Sequence, residues 1–134
     1  MTLNELFDKA RARIRRYTPE EAYAAAEAGA VIVDIRGQHS RERDGVIPGA
    51  HHVPRTVLEW RVASDEYRNP ALGGKRLILV CEHGYSTVLA AATLIDLGVD
   101  AGDIIGGFEA WQAAGLQVAF AVPFDGLPGT GPPD

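Results

Sequence analysis

The one cysteine of the chain has the clearest capacity for chemistry. Cys81 ends the apolar run Arg76–Cys81, and the residues Glu-His-Gly-Tyr-Ser separate it from an alanine- and leucine-rich segment. This order predicts a strand, a tight turn and a helix. At a helix N-terminus several backbone N–H groups lack intrahelical partners and the helix dipole is positive, so an anion is favoured. The thiolate, which is the nucleophilic form, would therefore be more populated than in free cysteine, whose pKa is about 8.5.

The residues after Cys81 distinguish a reactive cysteine from a core cysteine. A small apolar core residue at a strand end is the simpler interpretation of a lone cysteine. A core strand, however, needs no glycine and no polar or bulky groups directly after it, whereas an anion-binding turn does. Gly84 lets the backbone curl its amides inward as a nest. The sequence thus favours an anion-binding, nucleophilic turn headed by Cys81.

Two short apolar runs predict the strands that carry this turn. Ala30–Ile35 and Arg76–Cys81 are rich in β-branched and aliphatic residues, as strands of a parallel sheet buried on both faces are. An amphipathic helix is predicted over Leu3–Arg16, with its basic side in solvent. Thr18-Pro19-Glu20-Glu21 forms a capping box ahead of a second helix, Ala22–Ala28. The helix after Cys81 is predicted over Ser86–Leu97.

The rest of the chain completes an α/β pattern. The segment from 37 to 74 is predicted to be mostly irregular, with a short strand at His52-Val53 and a helical piece around Thr56–Arg61. Asp103–Ile105 predicts a further strand and Phe108–Ala114 a further helix. We expect a central, mostly parallel sheet with helices on both faces, that is, three layers.

Composition excludes several classes of function. The chain has 134 residues, one cysteine and a formal net charge of −5, which suits one domain without disulfides and disfavours nucleic acid or anionic membranes as partners. No signal peptide or spanning segment is predicted, so we expect a cytoplasmic protein. His51 and His52 would point to opposite faces of a strand and lack further ligands, so no metal is expected. His39 is predicted to lie in a polar loop, and Trp111 in the core.

Four motifs in order and spacing resemble the rhodanese-like domain family. They are the loop Cys81–Ser86 with the following Ala90-Ala91-Ala92, the segment Gly106–Trp111, the segment Val33–Arg36, and Gly45–Ala50. The resemblance covers about residues 18 to 118. We accordingly divide the chain into an N-terminal amphipathic helix (1–17), a rhodanese-like domain (18–122) and a loose, Pro- and Gly-rich tail (123–134).

The resemblance implies a sulfurtransferase that holds sulfane sulfur as a persulfide. Cys81 aligns with the nucleophile of the family, and the donor would be a small sulfur-containing anion such as thiosulfate, or a persulfide donor protein. A thiol or cyanide would be the acceptor, and no cofactor is implied. Asp34 and Arg36 would support the loop. The substrate-binding loop itself would consist of Glu82, His83, Gly84, Tyr85, Ser86 and Thr87.

Two departures leave alternatives open. Thiosulfate-using members often carry an arginine at the last of the six loop positions, which here is Ser86. His83, Arg55 or Arg61 would have to supply the positive charge, and Trp60 is a candidate pocket wall. Cysteine-dependent phosphatases place their phosphate-binding arginine where this chain has Thr87, which argues against that activity. The alternative function is a rhodanese-like module that binds or regulates a partner without turnover.

Overall fold

A five-stranded sheet, parallel throughout, runs through the middle of the computed structural model, which describes residues 1–122. The strands are β1 (Arg15–Tyr17), β2 (Val31–Asp34), β3 (His51–His52), β4 (Leu77–Val80) and β5 (Ala101–Ile104). Their spatial order is β1-β5-β4-β2-β3. Because all strands are parallel, their carboxyl ends meet at one edge of the sheet, and Cys81 lies at that edge directly after β4.

Helices cover both faces of the sheet, which confirms the predicted three-layer α/β architecture. The helices are α1 (Leu3–Arg13), α2 (Pro19–Glu27), α3 (Gln38–Asp44), α4 (Leu58–Ala63), α5 (Ser86–Asp96) and α6 (Gly107–Ala113). On one face of the sheet α1, α4 and α5 enclose a core with Val33, Leu77 and Leu79. On the other face α2 and α6 enclose a core with Ile78 and Phe108. Two 3-10 turns, Arg55–Val57 and Pro70–Leu72, complete the structure.

The central strand β4 is held by apolar contacts on both of its faces. All four of its side chains are fully buried, with Leu77 and Leu79 in one core and Ile78 and Val80 in the other. Side chains alternate between the faces of a sheet, so an unbroken apolar run is what a strand covered on both sides requires. The strand that leads to Cys81 is therefore anchored in both cores.

The N-terminal helix is shorter than predicted. It ends at Arg13, and Arg15–Tyr17, predicted to belong to the helix or its end, form the edge strand β1 beside β5. Ile14 already has extended dihedral angles, with φ −108° and ψ 156°. The reason is tertiary: the chain must turn back so that Tyr17, 2% exposed, can enter the core. Three residues are too few to show the alternation that predicts a strand.

Other element boundaries also differ from the predictions. The polar loop assigned to His39 is helix α3, whose seven residues are all incompletely buried, so no apolar period marked it. The strand predicted at Asp103–Ile105 is Ala101–Ile104, shifted by the small residues Ala101 and Gly102 that pack tightly against its neighbours. The helical piece near Thr56–Arg61 starts as a 3-10 turn and continues as α4. The predicted tail 123–134 lies outside the described residues.

No helix among the described residues is both long and apolar enough to cross a membrane. The longest helices, α1 and α5, have 11 residues each, about half the length that a bilayer core requires.

The packing of β1 against β5 gives a test of the fold. A Cβ at Gly102 would lie 2.2 Å from the carbonyl oxygen of Arg15. We expect Gly102→Ala to lower the free energy of unfolding by about 1–3 kcal/mol, because the backbone of β1 must move. Urea unfolding followed by circular dichroism measures this. Gly73→Ala is the control: Gly73 has φ −69°, and its Cβ would make an ordinary 3.6 Å contact. Equal midpoints for wild type and Gly102→Ala would contradict the close approach of β1 and β5.

Candidate functional site

Two glycine-containing turns are packed together at the carboxyl edge of the sheet. The turn after β4 contains Gly84, with φ +83°, and the turn after β5 contains Gly106 and Gly107, with φ +76° and +64°. A Cβ on Gly84 would lie 2.7 Å from the amide nitrogen of Gly106, and one on Gly107 would lie 2.4 Å from the carbonyl oxygen of Cys81. Both approaches are closer than any side chain permits. Glycine is therefore required on both sides of this contact.

Hydrogen bonds fix the loop against the start of α6. The amide of Phe108 donates to the carbonyl oxygen of Cys81 at 2.8 Å, and the amide of Glu109 donates to that of Glu82 at 3.1 Å. The carbonyls at the head of the loop thus point towards α6. The amide of Gly84 points the other way, towards the Cys81 side chain.

The Cys81 sulfur is nearly buried and surrounded by hydrogen-bond donors. Cys81 is 7% exposed. Its Sγ accepts a hydrogen bond from the amide of Gly84 at 3.2 Å and lies 3.5 Å from the Thr87 hydroxyl oxygen. Burial raises the pKa of the thiol, but the hydroxyls of Ser86 and Thr87 and the amides of Thr87 and Gly84 outweigh it, so that the pKa lies below its ordinary value. The site thus favours a thiolate.

A partly buried ion pair that the sequence analysis missed lies behind Thr87. The Thr87 hydroxyl donates to Oδ2 of Asp103 at 2.8 Å. Arg16, in β1, donates through Nε to Oδ1 of Asp103 at 2.9 Å and through Nη2 to Oδ2 at 3.1 Å. Nη2 also donates to the carbonyl oxygen of Gly84 at 3.0 Å. The signal in the sequence was an acid inside a buried strand, because charged side chains are rarely buried without a partner. Arg16 itself was assigned to a solvated face.

Asp34 and Arg36 form a second buried ion pair that reaches the loop. The Arg36 guanidinium donates to both carboxylate oxygens of Asp34, at 3.1 and 2.9 Å, and to Oε2 of Glu82 at 3.3 Å. It also donates to the carbonyl oxygen of Gly45 at 2.7 Å and lies 4.0 Å from the centre of the Phe108 ring. Arg36 therefore connects β2 to the residue after Cys81, consistent with a supporting role for the pair.

Glu82 turns its side chain away from the sulfur. Burial and a hydrogen bond with Asp44 raise the pKa of Glu82, despite the nearby Arg36. Hydrogen bonds from Arg43 and Glu82 lower the pKa of Asp44 to about 2. The carboxyl group of Glu82 is thus engaged by Arg36 and Asp44.

His83 and Tyr85 form the outer surface of the loop. His83 Nδ1 lies 2.9 Å from Oε2 of Glu109, and Tyr85, 70% exposed, has its ring centre 6.2 Å from that of Phe7 in α1. A cavity of about 340 Å³ opens beside them. It is lined by His83, Tyr85, Gly106, Glu109, Ala110 and Ala113.

The predicted pocket residues outside the loop lie in different places. The Arg55 amide donates to the Ile35 carbonyl, at the carboxyl edge of the sheet, and its guanidinium pairs with Glu59 at 2.8 Å. Arg61 donates to the carbonyl oxygen of Tyr67 at 2.6 Å. Trp60, half-exposed, lines a groove with Leu97, at the end of α5 opposite Cys81. The structure thus places Trp60 away from the loop.

The remaining aromatic and histidine predictions can also be located. Trp111 is 2% exposed and belongs to the core, as expected, and its indole N–H donates to the carbonyl oxygen of Gln117 at 2.9 Å. His52 contacts the carbonyl oxygen of Arg36 at 2.7 Å and the Arg41 guanidinium at 3.1 Å. Burial lowers the pKa of His52, although the hydrogen bond to Arg36 opposes this. His52 is therefore engaged in the structure around β2.

Comparisons with known proteins point to one family. The sequence model of the rhodanese-like domain family matches residues 18–114 of this chain. The thiosulfate sulfurtransferase GlpE of Stutzerimonas stutzeri is 39% identical, over 73% of this chain and 84% of that protein, and that of Pseudomonas syringae is 38% identical, over 73% and 87%.

Solved structures agree with the sequence comparisons. A Rhodopseudomonas palustris protein of unknown function, described as a possible tyrosine phosphatase, superimposes with a TM-score of 0.81 and 32% identity, over 88% of this chain and 94% of that one. A Pseudomonas aeruginosa thiosulfate sulfurtransferase gives 0.64 and 25% identity, over 81% of this chain and 20% of that one. Cys81 and the loop that follows it lie within residues 18–114, the range that the family model matches.

The donors around the Cys81 sulfur predict a thiol that ionises below the ordinary range. We expect the rate of iodoacetamide alkylation, followed against pH, to reach half its maximum at a lower pH than a free cysteine does. Ser86→Ala should raise that midpoint, because a donor to the thiolate is lost. Thr93→Ala, which removes a hydroxyl bonded to Leu89 in the same helix, is the control. An unchanged midpoint in Ser86→Ala would contradict a direct hydrogen bond to the sulfur.

Removal of Arg36 should destabilise the fold strongly. Arg36→Met leaves Asp34, whose side chain is 3% exposed, with its principal partner gone. We expect the free energy of unfolding to fall by about 3–5 kcal/mol, the usual cost of an uncompensated buried charge. The control Arg76→Met breaks the exposed pair with Asp100 and should cost less than about 1 kcal/mol. Chemical denaturation compares the two; equal losses would refute a structural role for the Asp34–Arg36 pair.

Proposed function

The chain belongs to the rhodanese-like domain family, and we propose that it is a sulfurtransferase that carries sulfane sulfur on Cys81. The observation that carries the proposal is the state of the cysteine. Its sulfur lies at the junction of β4 and α5, accepts a hydrogen bond from the Gly84 amide, and has a pKa below its ordinary value. The thiolate is the nucleophilic form of cysteine, and these contacts raise its share above that of a thiol without them.

The first half-reaction is a displacement at sulfur. The Cys81 thiolate attacks the outer sulfur of thiosulfate and forms a new S–S bond, while the old S–S bond breaks and sulfite leaves with its electron pair. The product is a Cys81 persulfide anion, and charge is conserved at −3 on both sides. In the second half-reaction an acceptor thiolate or cyanide attacks the outer sulfur. The Cys81 thiolate then leaves with the electron pair and is ready for the next donor.

Backbone amides are the groups best placed to stabilise these anions. The Gly84 and Thr87 amides donate to Sγ, and the 11-residue helix α5 begins at Ser86, which brings its positive dipole end to the loop. We assign the substrate-binding loop to Glu82 through Thr87 on this basis. The contribution of such preorganised donors grows as water is excluded from the site.

The charges around the loop favour a sulfur donor whose binding does not require an unpaired cation of the protein. The guanidinium groups that contact the loop, Arg16 and Arg36, are each paired with a buried carboxylate, Asp103 and Asp34. His83 faces Glu109. With its cations neutralised in this way, the loop would bind a free dianion weakly. A persulfide presented by a donor protein would load Cys81 through docking instead.

The likeness to a possible tyrosine phosphatase does not change the proposal. Phosphoryl transfer from a cysteine loop needs a guanidinium fork on the phosphate oxygens. At the corresponding position this chain has Thr87, which is fully buried and donates to Asp103. Sulfur transfer has no such requirement.

Intact-protein mass spectrometry tests the proposal. After incubation with thiosulfate the wild type should gain one sulfur, roughly 32 Da, and cyanide or a thiol should remove it. Cys81→Ser, which differs by one atom, is the matched control and should gain nothing. If thiosulfate fails, the same measurement is made with cysteine persulfide as donor. No sulfur from either donor would refute the proposal and favour the second candidate, a non-catalytic binding module.

A further inference from the structure

We propose that Arg16 and Asp103 act as positioning residues that set the reactivity of Cys81 through Thr87 and Gly84. This inference deepens the proposed function and rests on it for the role of Cys81 in sulfur transfer. Arg16 lies in β1, outside the residues 18–114 that match the family model. A segment beyond the matched domain would thus tune the nucleophile.

The contacts form two routes from Arg16 to the sulfur. In the first, Arg16 donates hydrogen bonds to both carboxylate oxygens of Asp103. Asp103 in turn accepts a hydrogen bond from the Thr87 hydroxyl, whose oxygen lies 3.5 Å from Sγ. In the second, Arg16 Nη2 donates to the carbonyl oxygen of Gly84, whose amide donates to Sγ. Three N–H groups of one guanidinium therefore act on two of the groups that contact the sulfur, the Thr87 hydroxyl and the Gly84 amide.

The Thr87 hydroxyl has one proton and two acceptors. When Cys81 is a thiol, the S–H can donate to Thr87 Oγ1 while the hydroxyl donates to Oδ2 of Asp103. When Cys81 is a thiolate, the same hydroxyl stabilises it only by turning its proton to Sγ. Oδ2 of Asp103 then keeps the hydrogen bond from Arg16 Nη2 at 3.1 Å. Arg16 thus makes the rotation inexpensive, because no buried carboxylate oxygen is left without a donor.

Arg16 also compensates the charge of Asp103. Asp103 is fully buried and its carboxylate lies one hydroxyl away from the sulfur. Without a cation beside it, a carboxylate there would oppose formation of the thiolate. The other charged groups around the loop are Glu82 with Arg36 and Asp44, and His83 with Glu109. Each of these is paired within its own group.

Lysine does not reproduce this arrangement. A guanidinium presents several donors in a fixed plane, whereas an ammonium is a point charge on a flexible stem. One ammonium would not span both oxygens of Asp103 and the carbonyl oxygen of Gly84 in the geometry that Nε and Nη2 of Arg16 adopt. The proposal therefore requires the fork as well as the positive charge.

The first test compares Thr87→Val with Thr87→Ser. Valine keeps the shape and removes the hydroxyl, whereas serine keeps the hydroxyl and leaves the Arg16–Asp103 pair in place. The readout is the pH dependence of the ultraviolet absorbance of the thiolate, which reports one group because the chain has one cysteine. We expect the midpoint to rise by about one pH unit in Thr87→Val, which is about a tenfold smaller acid dissociation constant, and to return towards wild type in Thr87→Ser. A Thr87→Val midpoint equal to that of wild type would overturn the proposal.

The second test replaces the fork. Arg16→Lys should raise the same midpoint and slow sulfur loading at saturating donor, and Arg15→Lys on the same strand is the control, because Arg15 is exposed and lies over the Tyr17 ring. Circular dichroism checks that each variant is folded. If Arg16→Lys titrates like Arg15→Lys, the positioning role is refuted. Since the titration needs no sulfur donor, a shifted midpoint without sulfur loading would support the positioning role and refute the proposed function.

Discussion

The close contact between two backbone turns is the constraint on which the site depends. Gly84 meets Gly106, and Gly107 meets the carbonyl of Cys81, at distances that exclude any side chain. The amides of Phe108 and Glu109 donate hydrogen bonds to the carbonyl oxygens of Cys81 and Glu82. These bonds hold the loop with its Gly84 amide directed at the sulfur. The turn after β5 thereby shapes the turn after β4. The parallel sheet makes this possible, since it brings both turns to one edge.

Two ion pairs, one buried and one partly buried, hold this loop from different strands. Arg36, paired with Asp34 after β2, reaches Glu82, and Arg16, paired with Asp103 from β1 and β5, reaches the carbonyl of Gly84. Burying charged groups is costly, and an apolar replacement of the same shape is often as stable. Their donors offer a reason for this cost, because each guanidinium directs one further N–H to the loop. Each pair thereby ties one loop residue, Glu82 or Gly84, to a strand of the sheet.

The sequence predicted the helices and strands that have a local residue pattern. It did not predict the features that depend on contacts between residues far apart in the chain. β2 and β4 were evident because continuous apolar runs are typical of strands covered on both faces, and the helix after Cys81 followed from its composition. β1 was missed because three residues show no period. Arg16 and Asp103 are separated by 87 positions, so no spacing rule joins them. Trp60 was predicted as a pocket wall because it lies in the long, mostly irregular stretch 37–74, but in helix α4 it lines a groove with Leu97.

Burial of the nucleophile also bears on how sulfur would leave it. In the proposed reaction the acceptor attacks the outer sulfur of the persulfide, not Sγ, and that atom lies about 2 Å further along the side chain. Sγ itself is enclosed by the Gly84 amide and by Thr87, with Cys81 only 7% exposed. Attack on Sγ would expel the outer sulfur as sulfide and form a mixed disulfide, a product that ends the cycle. In the proposed reaction, enclosure of Sγ would oppose that attack and leave the outer sulfur as the atom for the acceptor to attack. The same contacts that lower the pKa of the thiol would therefore direct the acceptor to the productive atom.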